Sequence, residues 1–425
     1  MAGLAHIAAD LGITVTGSDV VSSKMIQSLQ KRGCPVVVGH CSVTPDTDLL
    51  VYSSAVPKED PERIAAAKMN IPELCRGKFL AVLATEFDKV IAIAGSHGKT
   101  TTTAMLAHIA CEAGLKPAFM VGGNVNGWER SAMAGAGKLL ITEVDESDGT
   151  QAFLSSSAAI ILNIEDDHCW SHGGVPALEK CFRTFAEKAT RVFAWDAGKS
   201  PRVLAGLSQL TLLNPALIEK QAWLKGAPGH HNCGNAAIAC YVAEHYLGIA
   251  PELVRIAIQS YPGVDRRLSC RFASKDGSYL LYEDYAHHPT EVQASLQTLR
   301  EEYPDYQLWV VFQPHRYERI LRFADQFAEI LSKADGVEVV APFAAWVQDE
   351  KKADPKCIVN KICQQADIPC GYWQENLELL PEKLVRDLMV LKKPVVIAVL
   401  GAGDVNKMIP ELVLQLKAAV ASGKK

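Results

Sequence analysis

Residues 90–114 read VIAIAGSHGKTTTTAMLAHIACEAG. Five apolar residues run directly into Gly95-Ser96-His97-Gly98-Lys99-Thr100, and a helix-forming stretch from Thr101 to Ala113 follows and stops at Gly114. Strand, glycine turn and helix in that order make a phosphate cradle. The glycines let backbone N–H groups face an anion, the helix start adds positive dipole, Lys99 reaches the β and γ phosphates, and Thr100 offers a hydroxyl to Mg²⁺. Gly95 lies only three residues before Gly98, so the spacing departs from the full G-x-x-x-x-G-K-[ST] motif. A surface lysine beside a glycine turn is the bland alternative, and the strand before and helix after argue against it.

Two further apolar runs flank this unit. KLLITEV (138–144) carries Glu143 at its end and is followed by Asp145, Glu146 and Asp148, while AAIILNI (158–164) leads into Glu165, Asp166, Asp167 and His168. In an open parallel sheet ligands bind beyond the carboxyl ends of strands, so these ends are expected to share one crevice with the glycine turn. Glu143 is the first candidate for a magnesium ligand, beside the Thr100 hydroxyl, while His168 reads equally as a loop residue or as a further ligand. Acidic loops are also commonly just solvated.

The same alternation of short apolar runs with helix-period segments continues along the chain and predicts an α/β protein. Near the start, ITVTGSD, a capped helix over SSKMIQSLQKRG, VVVGH and DLLVYSSAV read as one small parallel unit. Later, YLLYEDY, QLWVVF, VEVVAP and PVVIAVLGAGD read as strands of a third unit. The expected domains are 1–78, 79–265 and 266–425, and 425 residues are ample for three cores.

Composition narrows the function class. Apolar residues are 48%, charged residues 21% and the net charge is -5, which suits a soluble globular protein and gives no general reason to bind nucleic acid. Twelve cysteines without a C-x-x-C pair read as reduced thiols. No signal peptide pattern and no apolar run of about 18 residues is present, so no membrane insertion and a cytoplasmic location are expected.

In the third unit EDYAHHPTEV places Asp284, Tyr285, His287 and His288 at a strand end, with Pro289 and Thr290 opening a helix. Zinc is disfavoured there, because no further ligand follows at a suitable spacing. FQPHRYERI adds His315, Arg316 and Arg319, where a guanidinium fork suits a carboxylate; an exposed basic helix edge is the alternative. Asn232, in PGHHNCGNAAIA, reads as a helix cap or as a ligand contact.

Taken together, GSHGKTTTTAM, TEVDESD, NIEDDH, PGHHNCGNAAIA, GVDRRL, DYAHHPTEV, FQPHRYERI and GAGDV resemble, in order and over most of the chain, the motifs of the Mur ligases. These are ATP-dependent amide-forming enzymes of peptidoglycan precursor synthesis. The resemblance implies Rossmann-like N- and C-terminal domains around a central P-loop ATPase-type sheet. DESD, HHPTE and FQPHRY point to the branch that joins L-alanine to UDP-N-acetylmuramate through an acyl phosphate. A murein tripeptide recycling ligase and a catalytically impaired nucleotide-binding homologue remain as alternatives.

The resemblance also implies roles. Gly95, Ser96, His97, Gly98, Lys99, Thr100, Thr101, His231, Asn232, Arg266 and Asp284 would bind ATP, and Asp19, Ser54, Tyr285, His287, Arg316 and Arg319 would bind the other substrates. Lys99, Glu143, His168, His287 and Arg316 would be catalytic, with Mg²⁺ on Thr100, Glu143 and His168. Asp284 and His287 are the candidates for taking a proton from the attacking amine.

The sequence departs from the family pattern in two places. MAGLAHIAADLG already resembles the helix that follows the family's diphosphate-binding glycine loop, so a longer true start is the expectation, with a shortened homologue as the alternative. The stretch from His168 to Pro228 is shorter than its family counterpart, and Cys169-Trp170-Ser171-His172 differs from it.

Overall fold

The computed structural model describes residues 1–40, 43–145, 149–167, 173–220, 224, 226–344, 353–373 and 377–422, with the Lys24 side chain excepted. Two compact units are present. The first contains Met1–Gly226 and His231–Val264, and the second Ala227–His230 and Asp265–Lys425.

In the first unit, β1 (Gly17–Asp19) pairs in parallel with β2 (Val36–Val38), and β3 (Leu50–Tyr52) with β4 (Glu73–Cys75). The expected single N-terminal sheet is therefore two separate pairs. Each strand has only three residues, and among the described residues no strand lies between the pairs to join them. The helix Lys24–Lys31 starts where its sequence signals it, with the Ser23 side chain accepting from the Ile26 N–H at 3.3 Å. Helix Ala2–Asp10 sends Leu4, Ile7 and Ala8 into a core shared with the large sheet.

That sheet has the order β11-β10-β9-β5-β8-β6-β7, formed by β5 (Lys89–Ala94), β6 (Ala118–Met120), β7 (Ala132–Met133), β8 (Leu139–Glu143), β9 (Ser156–Ile161), β10 (Ala189–Trp195) and β11 (Leu210–Leu213). All neighbours are parallel except β6 and β7. Strand β5 is buried from Val90 to Ala94, which explains its unbroken apolar run. Its register sets Ile93 opposite Glu143 and Ala94 opposite Ile161, so the three strands end together.

The second unit holds a sheet of order β12-β13-β17-β14-β15-β16. Its strands are β12 (Ser269–Ala273), β13 (Tyr279–Asp284), β14 (Gln307–Phe312), β15 (Gly336–Val340), β16 (Cys370–Trp373) and β17 (Val395–Leu400), with only β12 antiparallel. Apolar residues of β13, β14 and β17 alternate between two cores, one on each face of the sheet. Helices Pro289–Glu302, Tyr317–Leu331 and Lys356–Gln365 cover one face, and Leu380–Leu388 and Ile409–Ala421 the other. No described helix is long and apolar enough to cross a membrane.

Candidate active site

The glycine turn leaves β5 at Gly95 and enters the helix Lys99–Glu112. The helix begins two residues earlier than its composition suggests, because Gly98 takes a φ of 84° and acts as the cap. A Cβ on Gly98 would stand 2.5 Å from Asn235 Oδ1, so glycine is required there for space as well as for backbone angle. The Lys99 ammonium folds over the turn, donating to Gly95 O at 2.6 Å and Ser96 O at 3.3 Å. Ser96 Oγ accepts from Glu165 N at 2.9 Å, and His97 Nε2 lies 3.3 Å from Glu165 Oε2. Thr101 is buried in the first turn of the helix.

Asn163, two residues past the end of β9, grips the turn. Its Oδ1 accepts from His97 N at 2.8 Å, and its Nδ2 donates to His97 O at 3.0 Å. Beside the grip, a cavity of about 220 Å³ is lined by Leu162, Asn163, Glu165, Trp195, Lys199 and Ile218 among others.

On the other side of β5, Thr100 Oγ1 donates to Glu143 Oε2 at 2.8 Å. A Cβ on Gly122 would come within 2.0 Å of Glu143 Oε1, so the carboxylate lies in a cradle that only glycine leaves open. A hydroxyl and a carboxylate side by side are hard oxygen donors, the set that magnesium takes beside phosphates, and the residues fit that ion. His168, Glu146 and Asp148 lie outside the described residues, as do Cys169-Trp170-Ser171-His172. Asp145 pairs with Arg76 at 3.1 Å, and Asp167 is buried.

Asn232 is not a cap. The chain turns at Gly229, whose φ is 100°, and the helix starts at His230, which puts Asn232 inside its first turn, buried and accepting from Asn235 Nδ2 at 3.0 Å. His231 is exposed. Asp19, the last residue of β1, and Ser54, just beyond β3, are both exposed and belong to different sheets, and no hydrogen bond or ion pair among the described residues joins them.

The second unit collects another group of polar residues. Asp284 ends β13 facing inward: Oδ1 accepts from Ala286 N at 3.1 Å and Oδ2 from Ser295 Oγ at 2.8 Å. Burial raises its pKa to about 6, against the opposing pull of Arg267. These contacts fasten the turn that carries Tyr285 and His287. The His287 ring meets Tyr285 and His315 edge-on, with centroids 5.4 and 5.2 Å away, and its Nδ1 lies 2.9 Å from Tyr285 O. His288 caps the helix Pro289–Glu302 and packs against Phe323, so the adjacent histidines do different jobs.

Arg266 and Arg267 each lie 5.1 Å from the Tyr285 ring centre. Arg266 also holds the GAGDV turn, donating to Gly401 O at 2.9 Å and Gly403 O at 3.1 Å, and pairs with Glu283 at 2.7 Å. Arg319 is 0% exposed, with Nη1 3.0 Å from His315 Nδ1. The exposed-edge reading thus fails for Arg319, whose helix packs that face onto the sheet. Arg316 precedes the helix with φ 65° and ψ 140°.

Sequence reasoning missed Asn163, Asn235, Gly122 and Gln313. Asn235 carried a signal, the three-residue spacing from Asn232 that shares a helix face. Gly122 carried another, as part of a glycine pair just beyond a strand.

Three family descriptions match the chain: Mur ligase family, catalytic domain (residues 1–88), Mur ligase middle domain (93–194) and Mur ligase, glutamate ligase domain (266–403). The chain is 32% identical over 444 residues to the UDP-N-acetylmuramate–L-alanine ligase of Chlorobium phaeobacteroides, covering 97% of this chain and 94% of that protein. It is 33% identical to the enzyme of that name from Aquifex aeolicus, covering 81% and 82%. Among solved structures, UDP-N-acetylmuramate–alanine ligase from Thermotoga maritima superposes with a TM-score of 0.78 at 23% identity, covering 97% of this chain and 95% of that one. A murein peptide ligase from Psychrobacter arcticus gives 0.67 at 21% identity, covering 98% and 96%. With three domain descriptions in order and relatives above 30% identity along nearly its whole length, the chain belongs to the Mur ligase family.

Proposed function

We propose that this chain joins L-alanine to the lactyl carboxylate of UDP-N-acetylmuramate at the expense of ATP, in the cytoplasm, as a step in peptidoglycan precursor synthesis. The observation that carries the reading is the Gly95–Thr100 turn set between Glu143 and Asn163 at the common end of β5, β8 and β9. The expected division assigns the UDP-sugar to 1–78, ATP to 79–265, and the amino acid together with part of the ATP site to 266–425.

The chemistry runs in two displacements. A lactyl carboxylate oxygen attacks the γ-phosphorus, the bond to the β-phosphate oxygen breaks, and ADP leaves. The L-alanine nitrogen then attacks the acyl carbon, inorganic phosphate leaves, and the nitrogen gives up a proton. Phosphoryl transfer is mainly positioning and charge neutralisation. Lys99 turns from its carbonyl partners to the β and γ phosphates, while the backbone N–H groups of Gly98, Lys99 and Thr100 orient them. Magnesium, held by Thr100 and Glu143 with His168 as a further donor, supplies neutralisation of the phosphate charge.

His231 and Asn232 contact the adenine. Arg316 holds the amino-acid carboxylate, with Tyr285 and His287 alongside and Arg319 buried behind them against His315. His287 takes the amine proton, since its ring lies in the polar cluster whereas both Asp284 oxygens are engaged in the turn.

Phosphate release from residues 1–425 with ATP, Mg²⁺ and UDP-N-acetylmuramate tests this, with L-alanine, glycine, L-serine or tripeptide offered in turn. Release that depends on L-alanine and disappears in Lys99→Ala is the expected result. Equal turnover with tripeptide would make the chain a recycling ligase, and ATP binding without release would mark an impaired homologue.

A further inference from the structure

We propose that Gln313 is a positioning residue for the amino-acid end of the site, acting through Arg316. The inference rests on the reading of Arg316 as the carboxylate clamp.

Gln313 follows the last residue of β14 and is only 4% exposed. Its amide ties three pieces of chain together. Nε2 donates to Ala341 O, just past β15, at 3.2 Å and to Asp404 Oδ1 at 3.0 Å, while Oε1 accepts from Val405 N at 3.0 Å. The turn after β17 is shaped around this side chain. A Cβ on Gly403 would stand 2.3 Å from Gln313 Oε1 and 2.5 Å from Phe343 Cβ, so glycine is the residue that fits. That turn also receives both hydrogen bonds from Arg266.

The next three residues carry the effect to Arg316. Phe343 N donates to Pro314 O at 2.9 Å, the His315 ring stacks on Phe343 at 11°, and Arg316 N donates to Phe343 O at 3.0 Å. Gln313 holds residue 341 on one side of this ladder, and Phe343 holds residue 316 on the other. Between them Arg316 adopts φ 65° and ψ 140°, a backbone conformation that non-glycine residues keep only where their surroundings over-determine it. Such strain collects at ligand clamps, and here the device that imposes it is identifiable. Releasing the Gln313 latch lets residues 314–316 relax, which moves the guanidinium without removing it.

Steady-state kinetics on the full chain test the assignment. Gln313→Glu keeps the shape and the acceptor for Val405 N, but loses both donor bonds and sets a carboxylate against Asp404. The KM for L-alanine is expected to rise about tenfold, with the KM for ATP within about twofold of the parent. Gln313→Glu combined with Asp404→Asn restores a donor between the two positions and is expected to recover most of the loss. A joint rise of both KM values, or an unchanged KM for L-alanine alongside a lower melting temperature, would overturn the proposal. If Gln313→Glu does not fold, Gln313→Met gives the same split to read. A parent that uses tripeptide in place of L-alanine refutes the amino-acid assignment alone, and Gln313 is then read on the KM for tripeptide. A parent that uses no acceptor refutes both.

Discussion

Asn163 holds the His97 peptide by both ends, accepting from its N–H at 2.8 Å and donating to its carbonyl at 3.0 Å, across 66 residues of sequence. The glycine turn therefore takes its shape from the segment that follows β9 as well as from its own glycines. Losing a buried partner costs about 1–3 kcal/mol, because the peptide group left behind is unsatisfied. Asn163→Ala should raise the KM for ATP about tenfold. Asn163→Asp should be worse, since it keeps the acceptor, loses the donor and adds negative charge near the phosphates. Titration of nucleotide binding by calorimetry checks the order, and an Asp variant that binds better than the Ala variant would refute the grip.

Gly122 is expected to be intolerant for a different reason. A methyl group there meets Glu143 Oε1 at 2.0 Å, so Gly122→Ala must push the carboxylate away from Thr100. Overpacking of this kind costs about 1–3 kcal/mol. The half-saturating Mg²⁺ concentration for phosphate release should increase about tenfold. An unchanged magnesium titration would remove Glu143 from the metal site.

Asp284 should make the protein less stable above neutrality than an amide would. Burial raises its pKa from 3.8 to about 6, so its contribution to stability is full below about pH 4 and is lost as the pH rises through about 6. The ionised form then costs on the order of 3 kcal/mol. Asp284→Asn is expected to gain stability at pH 7.5 and to match the parent near pH 4, which denaturant melts at the two pH values will show. A variant less stable at pH 7.5 would contradict the burial argument.

His108 titrates with the opposite sign. It is buried in the helix Lys99–Glu112, 3.1 Å from Ser260 Oγ and edge-on to Tyr261, and burial lowers its pKa below 6.5. The folded ring stays neutral where the unfolded one takes a proton, so its stabilisation is present above pH 6.5 and is lost as the pH falls below it. His108→Gln should cost about 1 kcal/mol at pH 7.5 and then lose less than the parent on acidification to pH 5. Parallel curves for the two proteins would exclude His108 as an acid-sensitive group.

Much of the frame was legible in the sequence because it is written in local pattern. Strands β5, β8, β9, β13, β14, β15 and β17 coincide with apolar runs, since strands buried on both faces need no alternation. The glycine turn was legible for the same reason, as punctuation between a strand and a helix. Short strands were harder: with three residues each, β1 to β4 reveal their direction but not which neighbour they choose. Asn232 had the right residue type for a cap, yet Gly229 started the helix two residues ahead of it. Asn163 and Gln313 were illegible because their meaning lies in what they reach, a peptide 66 residues away and a turn 91 residues away. Arg319 read as a carboxylate fork or as part of an exposed basic helix edge, and only the packing of its helix shows that it is buried.

The two small N-terminal sheets have one more consequence, for the timing of backbone opening. Each is a single pair of three-residue strands, whereas β5 in the same unit is paired on both sides and buried. A pair with so few ladder bonds opens at low free energy, while the centre of a large sheet opens only when the whole unit unfolds. Amides of residues 17–19, 36–38, 50–52 and 73–75 should exchange with deuterium early, and those of 90–94 last. The unit thus holds early-exchanging and late-exchanging strand amides fewer than a hundred residues apart.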